Sequence, residues 1–309
     1  MADILNVVLP VFILIGFGYV ARWRGFVADV HIDALMKFAL NFAVPALLFG
    51  AISTLDLQAD LAPSMLLSFY TGAFTCFFLG LFGARYVFKR AWEDSVAIGF
   101  CCLFSNSLLL GVPIAERAYG PDSLGGAFAI ISVHSLFCYG LGISTMEIVR
   151  ARGKSIAQTV QTVAKGMFRN VLVMAIFAGF AVNLFGITLP ASLTDSLGLL
   201  SQTALPVALF GIGGVLKRYK PEGDLRIVLY ICVISLVVHP AITFGMGMQF
   251  NLSQEYLRSA VVISAMAPGI NSYIFASLYG HAMRVAASGV LVATSFSILS
   301  VSAWLIVLG

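Results

Sequence analysis

The chain has 309 residues, 60% of them hydrophobic and only 10% charged. A soluble domain is about 45–50% apolar and about 25% charged. The composition, with a mean hydropathy of +0.98 and a scattered net charge of +4, excludes an ordinary cytosolic enzyme, a disordered segment or a nucleic-acid binder and makes the lipid bilayer the expected solvent.

In chain order, apolar runs separated by polar or charged breaks predict ten transmembrane helices. They are Ile4–Ala21, Ile32–Ile52, Ser64–Arg85, Ser95–Ala115, Gly126–Val149, Val171–Ile187, Leu193–Leu216, Ile227–Met248, Leu257–Tyr279 and Val285–Leu308. The first run has no basic segment before it and no small-residue cleavage site after it, so it reads as a helix rather than a signal peptide. The connections alternate: one side holds 16 of the 18 Lys and Arg, the other only Arg117 and Arg258. The positive-inside rule makes the basic side cytoplasmic and puts both termini outside, in the periplasm for a multi-pass protein of the cell (inner) membrane. Cys76, Cys101, Cys102, Cys138 and Cys232 all fall in apolar runs, as small buried hydrophobes do.

The longest connection, Arg150–Asn170, places Ile156, Val160, Val163 and Met167 at helical spacing, which predicts a short amphipathic helix on the cytoplasmic leaflet. It divides the chain into residues 1–149, a linker 150–170, and residues 171–309. Gly153-Lys154-Ser155 resembles the end of a phosphate-binding loop, but Ile148 stands where that motif needs its first glycine. No nucleotide or other cofactor motif follows.

The two halves repeat each other. Ala43-Val44-Pro45-Ala46-Leu47-Leu48-Phe49-Gly50 returns, 161 residues later, as Ala204-Leu205-Pro206-Val207-Ala208-Leu209-Phe210-Gly211, with five of eight positions identical. Five runs per half is an odd number, so the second half enters from the opposite side; inverted repeats of this kind are common among secondary transporters. Runs four and nine carry Pro, Gly and Asn at membrane depth: Asn106-Ser107-Leu108-Leu109-Leu110-Gly111-Val112-Pro113 and Pro268-Gly269-Ile270-Asn271-Ser272-Tyr273. Proline removes a helix hydrogen bond, glycine eases unwinding, and lipid cannot satisfy the freed groups, so such breaks belong beside a cavity. A matched pair of interrupted helices points to a substrate site. Unpaired amides at a half-helix start favour an anion, and Asn106 and Asn271 offer donors to a carboxylate without burying a cation.

The Asn-x-x-x-x-Gly-x-Pro run from Asn106 to Pro113, Phe42-Ala43-Val44-Pro45, and Pro268-Gly269-Ile270-Asn271 resemble the signatures of the auxin efflux carrier family, which includes plant auxin carriers and bacterial carriers for malonate and related acids. The likeness covers nearly the whole chain. It implies an all-α fold of ten helices in two inverted five-helix repeats, related to bile-acid symporters and sodium/proton antiporters, with broken helices four and nine crossing near Pro113 and Pro268. It implies substrate contacts from Asn106 and Asn271. It also implies an elevator movement of runs 3–5 and 8–10 against runs 1, 2, 6 and 7, as a homodimer. The long hydrophilic loop of many plant members is absent.

The expected function is therefore secondary transport of a small organic anion, a malonate-like or auxin-like mono- or dicarboxylate. The expected site comprises Asn106, Ser107, Gly111, Pro113, Pro268, Gly269, Asn271, Ser272 and Tyr273, with Asn41 and Pro45 from the static side. No carboxylate lies at mid-span, so coupling would fall to a proton on His134 or His239, or to Na⁺ among hydroxyls such as Ser105, Ser107 and Ser272; a uniporter driven by the membrane potential needs neither. The competing classes are a passive anion channel or substrate sensor with a transporter fold, and a membrane enzyme; against the last, the chain lacks H-E-x-x-H, G-x-S-x-G and an intramembrane acid pair.

Overall fold

The computed structural model describes residues 2–150, 161, 170–219 and 224–309, and the regular elements among them are helices. Helix α1 spans Ala2–Trp23, α2 Asp29–Phe38, α3 Val44–Ser53, α4 Pro63–Phe82, α5 Trp92–Leu103, α6 Val112–Tyr119 and α7 Gly125–Val149. Then come α8 (Val171–Leu184), α9 (Ala191–Leu216), α10 (Leu225–Val233), α11 (His239–Gln249), α12 (Gln254–Ser264), α13 (Ile270–Tyr279) and α14 (Met283–Leu308). In lipid every backbone group needs an internal partner, which is why an apolar chain of this kind forms helices throughout.

Seven helical stretches among the described residues are long and apolar enough to cross a membrane: Ile4–Trp23, Asp29–Ser53, Pro63–Val87, Gly125–Val149, Ala191–Leu216, Leu225–Gln249 and Met283–Leu308. Val171–Leu184 is a shorter apolar helix. These eight coincide with eight of the ten expected runs. The other two are interrupted, one as α5 and α6, the other as α12 and α13. The amphipathic helix expected within Arg150–Asn170 lies outside the described residues, Gln161 apart.

Prolines shape several of these helices. Pro45, Pro113 and Pro240 each sit at the second residue of a helix that follows a π-helical segment: Ala39–Ala43, Ser107–Gly111 and Ile234–Val238. In each case the residue before proline bonds five residues back, Val44 to Ala39, Val112 to Ser107 and His239 to Ile234. Proline has no N–H and its ring collides with the carbonyl four residues back, so the turn widens. The carbonyl deprived of its donor then needs another. Leu236, four residues before Pro240, accepts from Ser300 Oγ at 2.6 Å and Trp304 Nε1 at 3.2 Å. Trp304, which by position reads as an interfacial anchor, thus serves a backbone repair. Asn6, four residues before Pro10, accepts from Arg117 Nη2 at 2.9 Å, and Val7 beside it from Arg117 Nε at 3.0 Å.

The helices pack as two groups, densely within each and sparsely between them. One comprises α1, α2, α3, α8 and α9; the other comprises α4–α7 and α10–α14. In the first group α1 and α9 touch backbone to backbone: a Cβ at Gly18 would overlap the Phe210 carbonyl, and one at Gly213 the Ile15 carbonyl. Glycine at a helix contact permits this approach. At the basic end of the same group, Arg22 pairs with Asp29 at 2.6 Å, and Arg218 bridges Asp29 at 2.8 Å and Asp33 at 2.7 Å, which ties α1, α2 and the end of α9 together.

Candidate functional site

The two interruptions meet. After α5 the chain runs extended through Phe104, Ser105 and Asn106; after α12 it runs through Ala267, Pro268 and Gly269. These stretches pair antiparallel, with Ser105 opposite Pro268. The Asn106 amide donates to the Ala267 carbonyl at 2.8 Å, and the Gly269 amide to the Phe104 carbonyl at 3.0 Å. In an antiparallel pair, residues alternate between bonded and non-bonded positions, and Pro268 occupies one that asks for no N–H. Each break therefore satisfies backbone groups that the other has freed from its helix.

Other contacts brace the crossing. Phe100 of α5 stacks flat on Phe275 of α13, with ring centroids 4.0 Å apart. At the far ends of the same two helices, Asp94 Oδ1 accepts from the Ala282 amide at 3.0 Å and lies 3.2 Å from His281 Nδ1.

Beside the crossing is a cavity of about 100 Å³. Its polar wall comes from the second helix group: Ser105, Asn106 and Ser107 at one break, Gly269 and Asn271 at the other, and His134 and Ser135 of α7. Its apolar wall comes from both groups: Met36, Leu40, Leu48, Leu172, Val173 and Ile176 of the first face Phe104, Leu108, Leu109, Ile131, Ile270 and Ile274 of the second. The cavity thus lies where the two groups face each other. Both half-helix starts contribute to it, and the amides of a first helical turn have no acceptor within their own helix. Asn271 Oδ1 accepts from Tyr139 OH at 3.3 Å, which fixes the orientation of that amide and turns its NH₂ elsewhere. Ser105 and Ser107 share a hydrogen bond of 2.8 Å between their hydroxyls.

Of the expected site residues, Asn106, Ser107, Gly269 and Asn271 are on the cavity wall. Pro268 forms the crossing itself. Gly111 and Pro113 are buried just beyond it, where a Cβ at Gly111 would press on Ile263 of α12. The remaining four lie off the wall: Asn41 is exposed, Pro45 is buried in α3, Ser272 is fully buried, and Tyr273 packs against Tyr219 with centroids 5.1 Å apart. The two histidines separate likewise. His134 lines the cavity, whereas His239 lies behind Phe69, whose ring centroid is 5.1 Å away. Tyr139 and Ser135 escaped the sequence reading. Only their place shortly after His134 in the same helix could have marked them. Among the described residues no group of three or more His, Cys, Asp or Glu side chains gathers that could hold a metal.

Residues 3–305 match the family described as "Membrane transport protein". Among curated relatives, the uncharacterized transporter YfdV of Escherichia coli K12 is 25% identical over 97% of this chain and 96% of its own length. A Rhizobium meliloti protein named "Putative malonate transporter" is 25% identical over 98% of this chain and 95% of its own length. Auxin efflux carrier component 5 of Arabidopsis thaliana is 21% identical over 90% of this chain and 88% of its own length. The paired helix breaks, the membrane-length helices and the end-to-end match agree that the chain belongs to the membrane transport protein family that includes the auxin efflux carriers, and is a multi-span transport protein rather than an enzyme.

Proposed function

We propose that this protein is a secondary transporter for a small organic anion, a malonate-like or auxin-like mono- or dicarboxylate. It works by an elevator movement of the group α4–α7 and α10–α14 against the group α1–α3, α8 and α9. The chain crosses the cell membrane ten times as two inverted five-helix repeats, with both termini outside, and works as a homodimer. The observation that carries this reading is the cavity between the two groups, into which two half-helix starts and the amides of Asn106 and Asn271 converge.

Helix starts present bare N–H groups and the positive end of the helix dipole, which suits a carboxylate. Drug-sized ligands occupy roughly 300–1,000 Å³, so a cavity of about 100 Å³ favours a guest of few heavy atoms. The relative named for malonate transport supports the short dicarboxylate over a ring-bearing acid. The sparse packing between the groups supports a sliding interface. The Ala43–Gly50 and Ala204–Gly211 match supports the inverted repeat.

The test is substrate-dependent thermal stabilisation of the purified protein against a panel of carboxylates, followed by counterflow in proteoliposomes. A ligand that binds the folded state raises its stability with concentration over Kd. Malonate or a close analogue is expected to stabilise the wild type. Asn106→Ala and Asn271→Ala are expected to weaken binding by about tenfold each, as loss of a hydrogen bond to a charged group implies, with the folded protein retained. Unchanged affinity in both variants would overturn the site. Flux without saturation or counterflow would make the protein a channel.

A further inference from the structure

Among the described residues the cavity wall holds one titratable side chain, His134. The rest of the described wall is amide, hydroxyl, hydrocarbon and the Met36 thioether, without lysine or arginine. A carboxylate in that place meets dipoles but no full positive charge, and an uncompensated charge in a dry site is costly. His134 is 3% exposed. Its ring stands edge-on to Phe104 at 4.8 Å and to Phe69 at 5.6 Å, its Nδ1 and Nε2 are 3.7 Å and 3.8 Å from Cys138 Sγ, and it shares the cavity wall with Ser105 of the crossing. On the other side of Phe69 is His239, whose Nε2 is buried without a partner. The hydroxyls of Ser235 and Thr243, one turn to either side of it, are buried and unpartnered too. Gly72 of α4 lies against this row: a Cβ there would press on both His239 and Thr243.

We infer that the anion crosses together with a proton carried on His134, so that the imidazolium balances one carboxylate charge of the anion, with His239 and its flanking hydroxyls forming a second polar station behind Phe69. The inference rests on the carboxylate reading above and names its coupling ion. The proton comes from water on the loading side. An O–H bond of hydronium breaks as an N–H bond forms at the unprotonated imidazole nitrogen, and the proton returns to a water oxygen when the site opens to the opposite side. The titratable groups facing His134 are Tyr70 from α4, His239 from α11 and Cys138 from α7. The crossing strand presents Phe104 and Ser105. None of these is a carboxylate, a lysine or an arginine, so the substrate itself supplies the charge that would favour the imidazolium.

The experiment uses proteoliposomes loaded with a pH-sensitive dye and supplied with labelled malonate, with protein-free vesicles as the blank. Malonate uptake is expected to acidify the lumen. Initial rates are expected to fall by about tenfold as external pH rises by about two units, because the proton that crosses with the anion becomes scarcer on the loading side and the two binding events are coupled. His134→Gln is expected to abolish the acidification and flatten the pH profile of whatever counterflow it retains. Net malonate uptake by the wild type with no proton movement, or acidification and pH profile both retained in His134→Gln, would overturn the inference and leave the carboxylate reading standing. No exchange of malonate or any carboxylate by the wild type would remove both. If His134→Gln fails to fold, the dye measurement on the wild type alone decides.

Discussion

Tyr139 illustrates what a single side chain contributes to the site. Its hydroxyl donates to Asn271 Oδ1 at 3.3 Å, so the amide is held with one face occupied before any substrate arrives. Tyr139→Phe keeps the ring, which packs against Phe100 and Phe104, and removes only the donor. Loss of a neutral hydrogen bond costs about 1 kcal/mol, or roughly fivefold in affinity. Malonate binding by thermal shift is therefore expected to weaken about fivefold, with the melting temperature of the ligand-free protein barely moved. The position of Asn106 and Asn271 beside the helix breaks was legible in the chain because each amide is flanked by proline and glycine in an apolar run. Tyr139 was not, because one tyrosine in an apolar helix carries no local sign; its role arises only from α7 passing beside the crossing. Asn41 failed for another reason. The π-helical turn over Ala39–Ala43 alters the helix phase, so a 3.6-residue count cannot say which face each residue of that turn takes. Leu40 and Leu48 reach the cavity while Asn41 is exposed.

At the level of the helix, proline sets the pattern and its consequences are local enough to test. Pro240 deprives the Leu236 carbonyl of a donor, and Ser300 and Trp304 of α14 supply two. Removing Ser300 from the wild type leaves the carbonyl with one longer bond, so Ser300→Ala is expected to destabilise by about 1 kcal/mol. Pro240→Ala restores an N–H that can reach Leu236 itself. In that background Ser300→Ala is expected to cost markedly less, and a double-mutant cycle on thermal stability measures the difference as a coupling energy. Strict additivity would mean that the Ser300 bond does not answer to the proline. The same logic explains why the broken helices were legible. Pro113 and Pro268 at membrane depth require an exit for freed backbone groups, and a second break at the matching place in the other half provides one. That the two breaks would satisfy each other through Asn106–Ala267 and Gly269–Phe104 bonds was not legible, because backbone pairing across 160 residues leaves no side-chain trace.

For the molecule as a whole, the proposed motion demands that certain contacts break in every cycle and others never do. Arg117 stands at the end of α6, in the group proposed to move. It holds the carbonyls of Asn6 and Val7 on α1, in the group proposed to stay. The cluster of Arg22, Asp29, Asp33 and Arg218 lies wholly within the static group. Cysteines introduced at Val7 and Arg117 and joined by a short thiol-specific bifunctional reagent would tie the groups together. Cysteines at Asp33 and Arg218, joined in the same way, would not. The five native cysteines are all buried and free, so the background reaction should be small. Cross-linking Val7→Cys/Arg117→Cys is expected to abolish malonate counterflow, with recovery on cleavage of the linker. The Asp33→Cys/Arg218→Cys cross-link should leave most of it. If the first linkage forms quantitatively and counterflow continues, the two groups do not slide past each other at α1 and α6. Transport would then have to proceed by a smaller rearrangement confined to the crossing of Phe104–Asn106 with Ala267–Gly269.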